Sequence, residues 1–112
     1  MTRRQERVSA LIMRDLSEII QRRLQDPRIK NVHIVNIEIS PDFSFAKVYY
    51  SFLGESEQCD EIQKGLDSAK GFMRRELKKK LDLRVIPELA FFYDSSVKRG
   101  DHILELLKKI NN

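Results

Sequence analysis

The sequence has very little cysteine and no long apolar run. Cys59 is the only cysteine among 112 residues, so an internal disulfide is impossible and a four-ligand zinc site has no support. Such cysteine usage is typical of a reducing cytosol. No apolar run approaches the roughly 18 residues that span a bilayer, and residues 1–7 lack a following signal-peptide core. We therefore expect a cytoplasmic protein without a membrane anchor.

Groups that carry metal or catalytic chemistry are equally sparse. His33 and His102 are the only histidines, and their wide separation supports neither a metal site nor a catalytic dyad. The acidic residues of segment 55–61 suit the beginning of a helix, and Ser95 and Ser96 lack a Gly-x-Ser-x-Gly setting. We expect no enzymatic activity, no cofactor, no metal and no small-molecule substrate.

The N-terminal third predicts a helix followed by a turn, within one domain over residues 1–112. Thr2-Arg3-Arg4-Gln5 fits a capping box, and Asp26-Pro27-Arg28 ends the helix because proline disfavours a helical residue before it. The apolar positions between them recur at helical spacing. They are Val8, Ile12, Leu16, Ile19, Ile20 and Leu24.

Alternating residues then predict three strands. His33–Ser40 places Val35, Ile37 and Ile39 on one face, and the turn Ser40-Pro41-Asp42 leads into a second strand, Phe43–Leu53. The third strand, residues 89–93, is a continuous apolar run, which indicates burial on both faces. A helical crossover precedes it, so we expect it to lie parallel beside the first strand.

The segment from Ser56 to about Leu83 has a helical pattern that contains Gly71. Glycine costs a helix about 1 kcal/mol relative to alanine, so Gly71 predicts a kink or a close backbone approach. A helix that restarts at Phe72 would direct unpaired N–H groups toward the kink, where phosphate could bind. A packing role for Gly71 is the alternative. A last helix is predicted to begin at Ser95 or Ser96.

The predicted order is helix, strand, strand, kinked helix, strand, helix. It gives an α+β fold in which helices cover one face of a three-stranded mixed sheet. This order matches a type II KH domain, a fold that binds RNA or single strands through a Gly-x-x-Gly loop between two helices. The chain has no Gly-x-x-Gly sequence.

Positive charge is concentrated in one segment. The net charge is only +4, but residues 70–84 carry seven bases and two acids, whereas residues 36–61 carry six acids and one base. A polyanion such as RNA would be steered to the basic segment. A simply solvated basic face is the alternative for the first helix. The predicted RNA-binding residues are Ala69, Lys70, Gly71, Arg74, Arg75, Lys78 and Lys79, with Arg3, Arg4, Arg7, Arg14 and Arg22 as a second patch.

Four motifs, in order, resemble those of bacterial ribosome-binding factor A. They are Asp26-Pro27-Arg28, Ser40-Pro41-Asp42 with Ala46-Lys47-Val48-Tyr49, Ala69-x-Gly71, and residues 84–94. The resemblance implies a KH-like fold with a helix-kink-helix at Ala69 to Gly71. It also implies a non-enzymatic assembly factor that binds the free small (30S) ribosomal subunit and its rRNA. Such a factor supports late 30S maturation and processing of the 5′ end of 16S rRNA, and matters most in the cold. We expect a monomer.

A competing hypothesis keeps the fold and changes the partner. In it, the chain is a KH-like protein–protein adaptor for RNA-processing or ribosomal proteins, and the basic face is incidental. Binding to protein-free rRNA separates the two hypotheses.

Overall fold

The computed structural model describes residues 1–94, so the predicted last helix lies outside the described residues. The predicted α+β class, with a three-stranded mixed sheet, is confirmed. Its elements are α1 (Arg3–Glu18), β1 (Val32–Ile39), β2 (Phe45–Phe52), α2 (Cys59–Lys80) and β3 (Glu88–Tyr93). A π-helical turn, Ile19–Arg23, extends α1, and 3₁₀ turns at Pro27–Ile29 and Ser56–Gln58 precede β1 and α2.

The beginning of α1 is fixed by the predicted capping box. Thr2 Oγ1 accepts a hydrogen bond from Gln5 N at 3.1 Å, and Gln5 Oε1 accepts one from Thr2 N at 2.8 Å. These two bonds satisfy donors that a helix start leaves unpaired. Gln5 Nε2 also donates to Ile39 O at 2.9 Å. The start of α1 is therefore held at the end of β1, beside the hairpin turn.

The predicted hairpin of β1 and β2 is confirmed. Phe43 N donates to Ser40 O at 2.9 Å, and Ser40 N donates to Phe45 O at 2.9 Å. Phe43 has a φ of 63°, which is uncommon for a residue with a side chain. The four alternating residues predicted to face inward from β2 are all buried. They are Ala46, Val48, Tyr50 and Phe52.

The predicted inward face of β1 is wrong at Val35. A bulge between Ile34 and Asn36 shifts the register, so Ile34 is buried before it and Ile37 after it. Val35 is the extra residue and is only half-buried. A bulge reverses side-chain alternation locally, which a strictly alternating sequence pattern does not anticipate.

The predicted position of the third strand is wrong. β3 pairs in parallel with β2, from Phe45 beside Glu88 to Tyr50 beside Tyr93, so the order is β1-β2-β3. In the hairpin, β2 pairs with β1 along one edge only. β3 pairs with the other edge of β2, because elements that follow one another in the sequence usually pack as neighbours. Burial on both faces of β3 is also wrong: Leu89 is buried, but Phe92 is 43% exposed. As an edge strand, β3 is covered on one face only.

α2 is one continuous helix of 22 residues, Cys59–Lys80, and Gly71 lies inside it. The predicted start of a new helix at Phe72 is therefore wrong, whereas a bend within the continuous helix stays a prediction. The helical penalty of one glycine is about 1 kcal/mol. Leu66, Met73 and Leu77 are fully buried on α2, and burial of each such side chain contributes about 1.5–3 kcal/mol. This burial outweighs the glycine penalty.

The close approach predicted for Gly71 belongs to Gly65. A Cβ on Gly65 would lie 2.9 Å from Ile29 Cγ2 and 3.3 Å from Asp26 Oδ2. At Gly71 the nearest atom beyond the backbone of α2, within the described residues, would be Arg75 Nη1, at 3.5 Å. Gly65 is therefore the glycine that lets α2 cross the Pro27–Ile29 turn, and Gly71 is exposed.

Candidate nucleic-acid interface

The second half of α2 presents a cationic depression. Gly71, Arg74, Arg75 and Lys78 recur at helical spacing on one side of α2 and, with Ile86, line a shallow cavity of about 280 Å³. Arg75 and Lys78 are exposed, and neither has a hydrogen bond or ion pair within residues 1–94. The structure therefore places Gly71, Arg75 and Lys78 together on one side of α2.

Arg74 serves a different purpose. Its Nε donates to Pro87 O at 3.1 Å, and its Nη2 donates to Ile86 O at 3.0 Å. The side chain is half-buried, and both carbonyl groups belong to the loop between α2 and β3, residues 81–87. Arg74 therefore holds this loop against α2 by two hydrogen bonds, and the loop forms one side of the depression.

Two other predicted cations of α2 are ion-paired. Lys70 lies 3.1 Å from Asp67, and Lys79 lies 3.2 Å from Glu76. Glu76 is buried, and it also faces Arg23 at 3.6 Å. The pair of Lys70 and Asp67 is exposed, and such pairs contribute at most about 1 kcal/mol, so a phosphate can replace the carboxylate of Asp67 at little cost. Ala69, also predicted here, is half-buried against the core.

The predicted arginines of α1 and of the π-helical turn after it divide into three groups. Arg3, Arg7 and Arg22 are exposed, and none has a polar partner within the described part of the chain. Arg14 Nε lies 3.0 Å from Asp15 Oδ1, which raises the pKa of Arg14 through the hydrogen bond to that carboxylate. The guanidinium carbon of Arg4 lies 5.1 Å from the centre of the Phe43 ring, a cation–π distance.

Arg84 is a cation that the sequence prediction omitted from the site, although it ends the basic segment. It is exposed, and with Arg4 and Phe43 it lines a cavity of about 290 Å³ at the hairpin end of the sheet. Pro87 lines the same cavity, and Arg74 binds its carbonyl oxygen. Both cavities therefore border the loop of residues 81–87. We call the exposed cations that line them, Arg4, Arg75, Lys78 and Arg84, the basic strip.

Acidic residues lie toward the other end of α2. Glu57 and Glu61, near its beginning, line a separate cavity with the exposed Leu53. Glu61 and Arg75 are 14 positions apart on a helix that rises 1.5 Å per residue, which separates them by roughly 20 Å. This exceeds the Debye length of about 8 Å at physiological salt, so an approaching polyanion meets the basic strip without strong repulsion from these acids.

The described residues contain no group of three or more histidine, cysteine, aspartate or glutamate side chains placed to hold a metal ion. Across the same residues, no helix is both long and apolar enough to cross a membrane.

A KH-like α+β fold with a cationic surface along one helix is the class of protein that these features define. The family model described as Ribosome-binding factor A matches residues 4–107. The chain belongs to the ribosome-binding factor A family, and the resemblance seen in its motifs is confirmed.

Individual relatives agree in sequence and fold. A Dictyoglomus thermophilum protein named ribosome-binding factor A is 44% identical over 111 residues, 98% of this chain and 92% of that protein. The solution structure of a putative ribosome binding factor A from Thermotoga maritima is 38% identical with a TM-score of 0.72, and covers 80% of this chain and 86% of that one.

A third relative comes from a complex. The Thermus thermophilus ribosome binding factor A, fitted as a homology model into the cryo-EM map of a 30S complex, is 25% identical with a TM-score of 0.64. The match covers 78% of this chain and 91% of that one.

Proposed function

We propose that the chain is a ribosome assembly factor that binds the free 30S subunit and its rRNA. Its family membership and the fitted 30S complex of a relative support this function. It acts as a cytoplasmic monomer whose single domain spans residues 1–112. It supports late 30S maturation and processing of the 5′ end of 16S rRNA, including growth in the cold. The observation that carries the proposal is the match of the family model to nearly the whole chain.

The proposed contact surface is the basic strip, joined by other predicted cations. Arg3 and Arg7 extend it along α1, and Arg22 extends it along the π-helical turn that follows. Lys70 exchanges Asp67 for phosphate, and Lys79 can do the same because Arg23 still faces the buried Glu76. Gly71 has no side chain, so a phosphate backbone can approach α2 closely there. Arg74 and Ala69 keep this surface in its observed arrangement, and Arg14 stays paired with Asp15. If about five phosphates are neutralised, log affinity against log salt should slope near −3.5 to −4.5 because counterions are released.

Gradient sedimentation of cell extract tests the partner. The tagged chain should travel with free 30S subunits and be depleted from the translating pool. The double charge reversal Arg75→Glu, Lys78→Glu should no longer sediment with the 30S fraction. Lys30 is an exposed cation after the Pro27–Ile29 turn, and the control variant Lys30→Glu should still sediment with that fraction. Equal sedimentation of both variants would refute the proposed surface.

Depletion of the chain in cells tests the finer role. Precursor 16S rRNA with an unprocessed 5′ end should accumulate, and more strongly at low temperature. Primer extension on rRNA measures that end. If processing is normal at every temperature and 30S association is intact, the chain binds the 30S subunit but has no role in processing.

The polar partners of three predicted cations support the alternative, protein–protein adaptor hypothesis. Lys70, Arg74 and Lys79 all have partners within the protein, which lowers the number of free charges for RNA. Under this hypothesis, the chain should bind reconstituted 30S particles but not protein-free 16S rRNA. Tight, salt-dependent binding to the protein-free rRNA excludes it.

A further inference from the structure

The cavity at the hairpin end of the sheet is built from three elements. Arg4 comes from the start of α1, Asp42 and Phe43 from the hairpin turn, and Arg84 and Pro87 from the loop of residues 81–87. Its volume of about 290 Å³ is at the small end of ligand cavities, which run from about 300 to 1,000 Å³. It therefore suits one small, flat group rather than a helix or a long peptide.

One wall of the cavity is a stacked pair. The guanidinium carbon of Arg4 lies 5.1 Å from the ring centre of Phe43. Phe43 adopts a φ of 63°, in the left-handed region where glycine or asparagine is favoured. The turn would be less strained with either, so the aromatic ring is present for its contacts. Flat cationic and aromatic surfaces are those on which proteins stack unpaired nucleobases.

Asp42 supplies an acceptor at the same place. Its Oδ1 accepts hydrogen bonds from Ser44 Oγ at 2.7 Å, Ser40 Oγ at 2.8 Å and Ser44 N at 3.1 Å. None of these three hydrogen bonds uses its Oδ2. The hydrogen bonds from Ser44 and Ser40 lower the pKa of Asp42 to about 2, so the carboxylate is ionised at neutral pH and one oxygen stays available.

We propose that this cavity binds a single unstacked guanine nucleotide of the RNA. One carboxylate oxygen can accept hydrogen bonds from two donors, and guanine is the base whose Watson–Crick edge presents two adjacent N–H donors, at N1 and N2. Arg84 and Arg4 supply positive charge for the flanking phosphates. The proposal rests on the proposed RNA-binding function and adds a base preference to it.

Labelled hexanucleotides test the preference by fluorescence anisotropy at low salt. Three oligouridine hexamers carry one guanine, inosine or adenine at the third position. Donation of N1–H and N2–H to this one oxygen should favour guanine over adenine by about fivefold, the low end for a base contact. Inosine, which lacks the N2 amino group, should bind with intermediate affinity. Asp42→Asn keeps an oxygen for Ser44 N but loses the carboxylate, so it should reduce the preference to less than about twofold while the hexamers still bind.

Arg84→Ala and Lys30→Ala complete the test, since both cations are exposed. Arg84→Ala should weaken binding of all three hexamers, and Lys30→Ala should not. Equal affinity of wild type for the three hexamers would overturn the base preference. If 30S association remains salt-dependent in that case, the proposed function survives and only the guanine site fails. If Arg84→Ala lowers 30S association without affecting any hexamer, the cavity contacts protein, and the proposal is again wrong.

Discussion

Alanine substitutions at Gly65 and Gly71 should have opposite effects on stability. Both residues are inside α2, so each substitution gains about 1 kcal/mol of helix propensity. At Gly71 the new methyl group meets only the flexible end of Arg75, at 3.5 Å, among the described residues. We therefore expect Gly71→Ala to raise the free energy of unfolding by up to about 1 kcal/mol.

At Gly65 a steric cost exceeds the same gain. The new Cβ would lie 2.9 Å from Cγ2 of Ile29, a branched side chain that is 1% exposed and cannot swing away. Overpacking of this kind costs about 1–3 kcal/mol, which leaves a net loss of about 1 kcal/mol. With a urea m-value near 2 kcal/mol/M, the two variants should differ by about 1 M in midpoint. Urea unfolding followed by circular dichroism measures it.

The same pair separates stability from binding. If RNA backbone comes close to Gly71, Gly71→Ala should weaken 30S association although its fold is more stable. Gly65→Ala should keep its affinity under conditions where it is fully folded. A destabilised Gly71→Ala would mean that α2 does not run uninterrupted through this position. A stabilised variant with unchanged 30S affinity would remove Gly71 from the interface.

Three further experiments test the division of roles. Arg74→Ala should lower the free energy of unfolding by about 1–3 kcal/mol, because two hydrogen bonds from a charged group are lost. Arg75→Ala should change it by less than about 0.5 kcal/mol. Urea unfolding of both variants measures the difference, and equal losses of stability would contradict this prediction. Arg75→Glu with Lys78→Glu should make the salt dependence of 30S binding shallower by about 2, as titrations at several salt concentrations would show. Asp42 has a pKa of about 2 in the folded chain against 3.8 as its ordinary value, so its carboxylate stabilises the fold above pH 3.8 and that contribution is lost as pH falls toward 2. Asp42→Asn should remove this part of the acid dependence of the melting temperature, and parallel acid titrations of the two proteins would reveal it.

Local chemistry predicted the parts of the fold that depend on neighbouring residues. Thr2 and Gln5 form the capping box, and the proline turn after Ser40 forms the hairpin, because every partner lies within a few positions in the sequence. The place of β3 depends on which edge of the sheet is free, and a residue pattern within one strand does not contain that information. The bulge at Val35 has the same origin, since it depends on pairing with β2.

The candidate site shows the same limit in its side chains. A basic helix segment predicts that Arg74 and Arg75 are alike. In the structure they differ, because Arg74 reaches the carbonyl groups of Ile86 and Pro87 and Arg75 does not. The sequence pattern did not predict the close approach at Gly65 either, because that approach is to Ile29, which lies 36 positions earlier in the sequence.

The continuity of α2 changes how the proposed surface would recognise RNA. A helix end at Phe72 would have offered fixed backbone N–H groups, which bind phosphate with defined geometry. The side of an uninterrupted helix offers long cationic side chains, which neutralise phosphate with little geometric selectivity. Selectivity must then come from parts of the surface that are held rigidly. The best candidates are the hairpin turn at Phe43 and the loop that Arg74 pins to α2. Loss of the Arg74 hydrogen bonds should therefore reduce selectivity among RNA sites more than it reduces overall affinity.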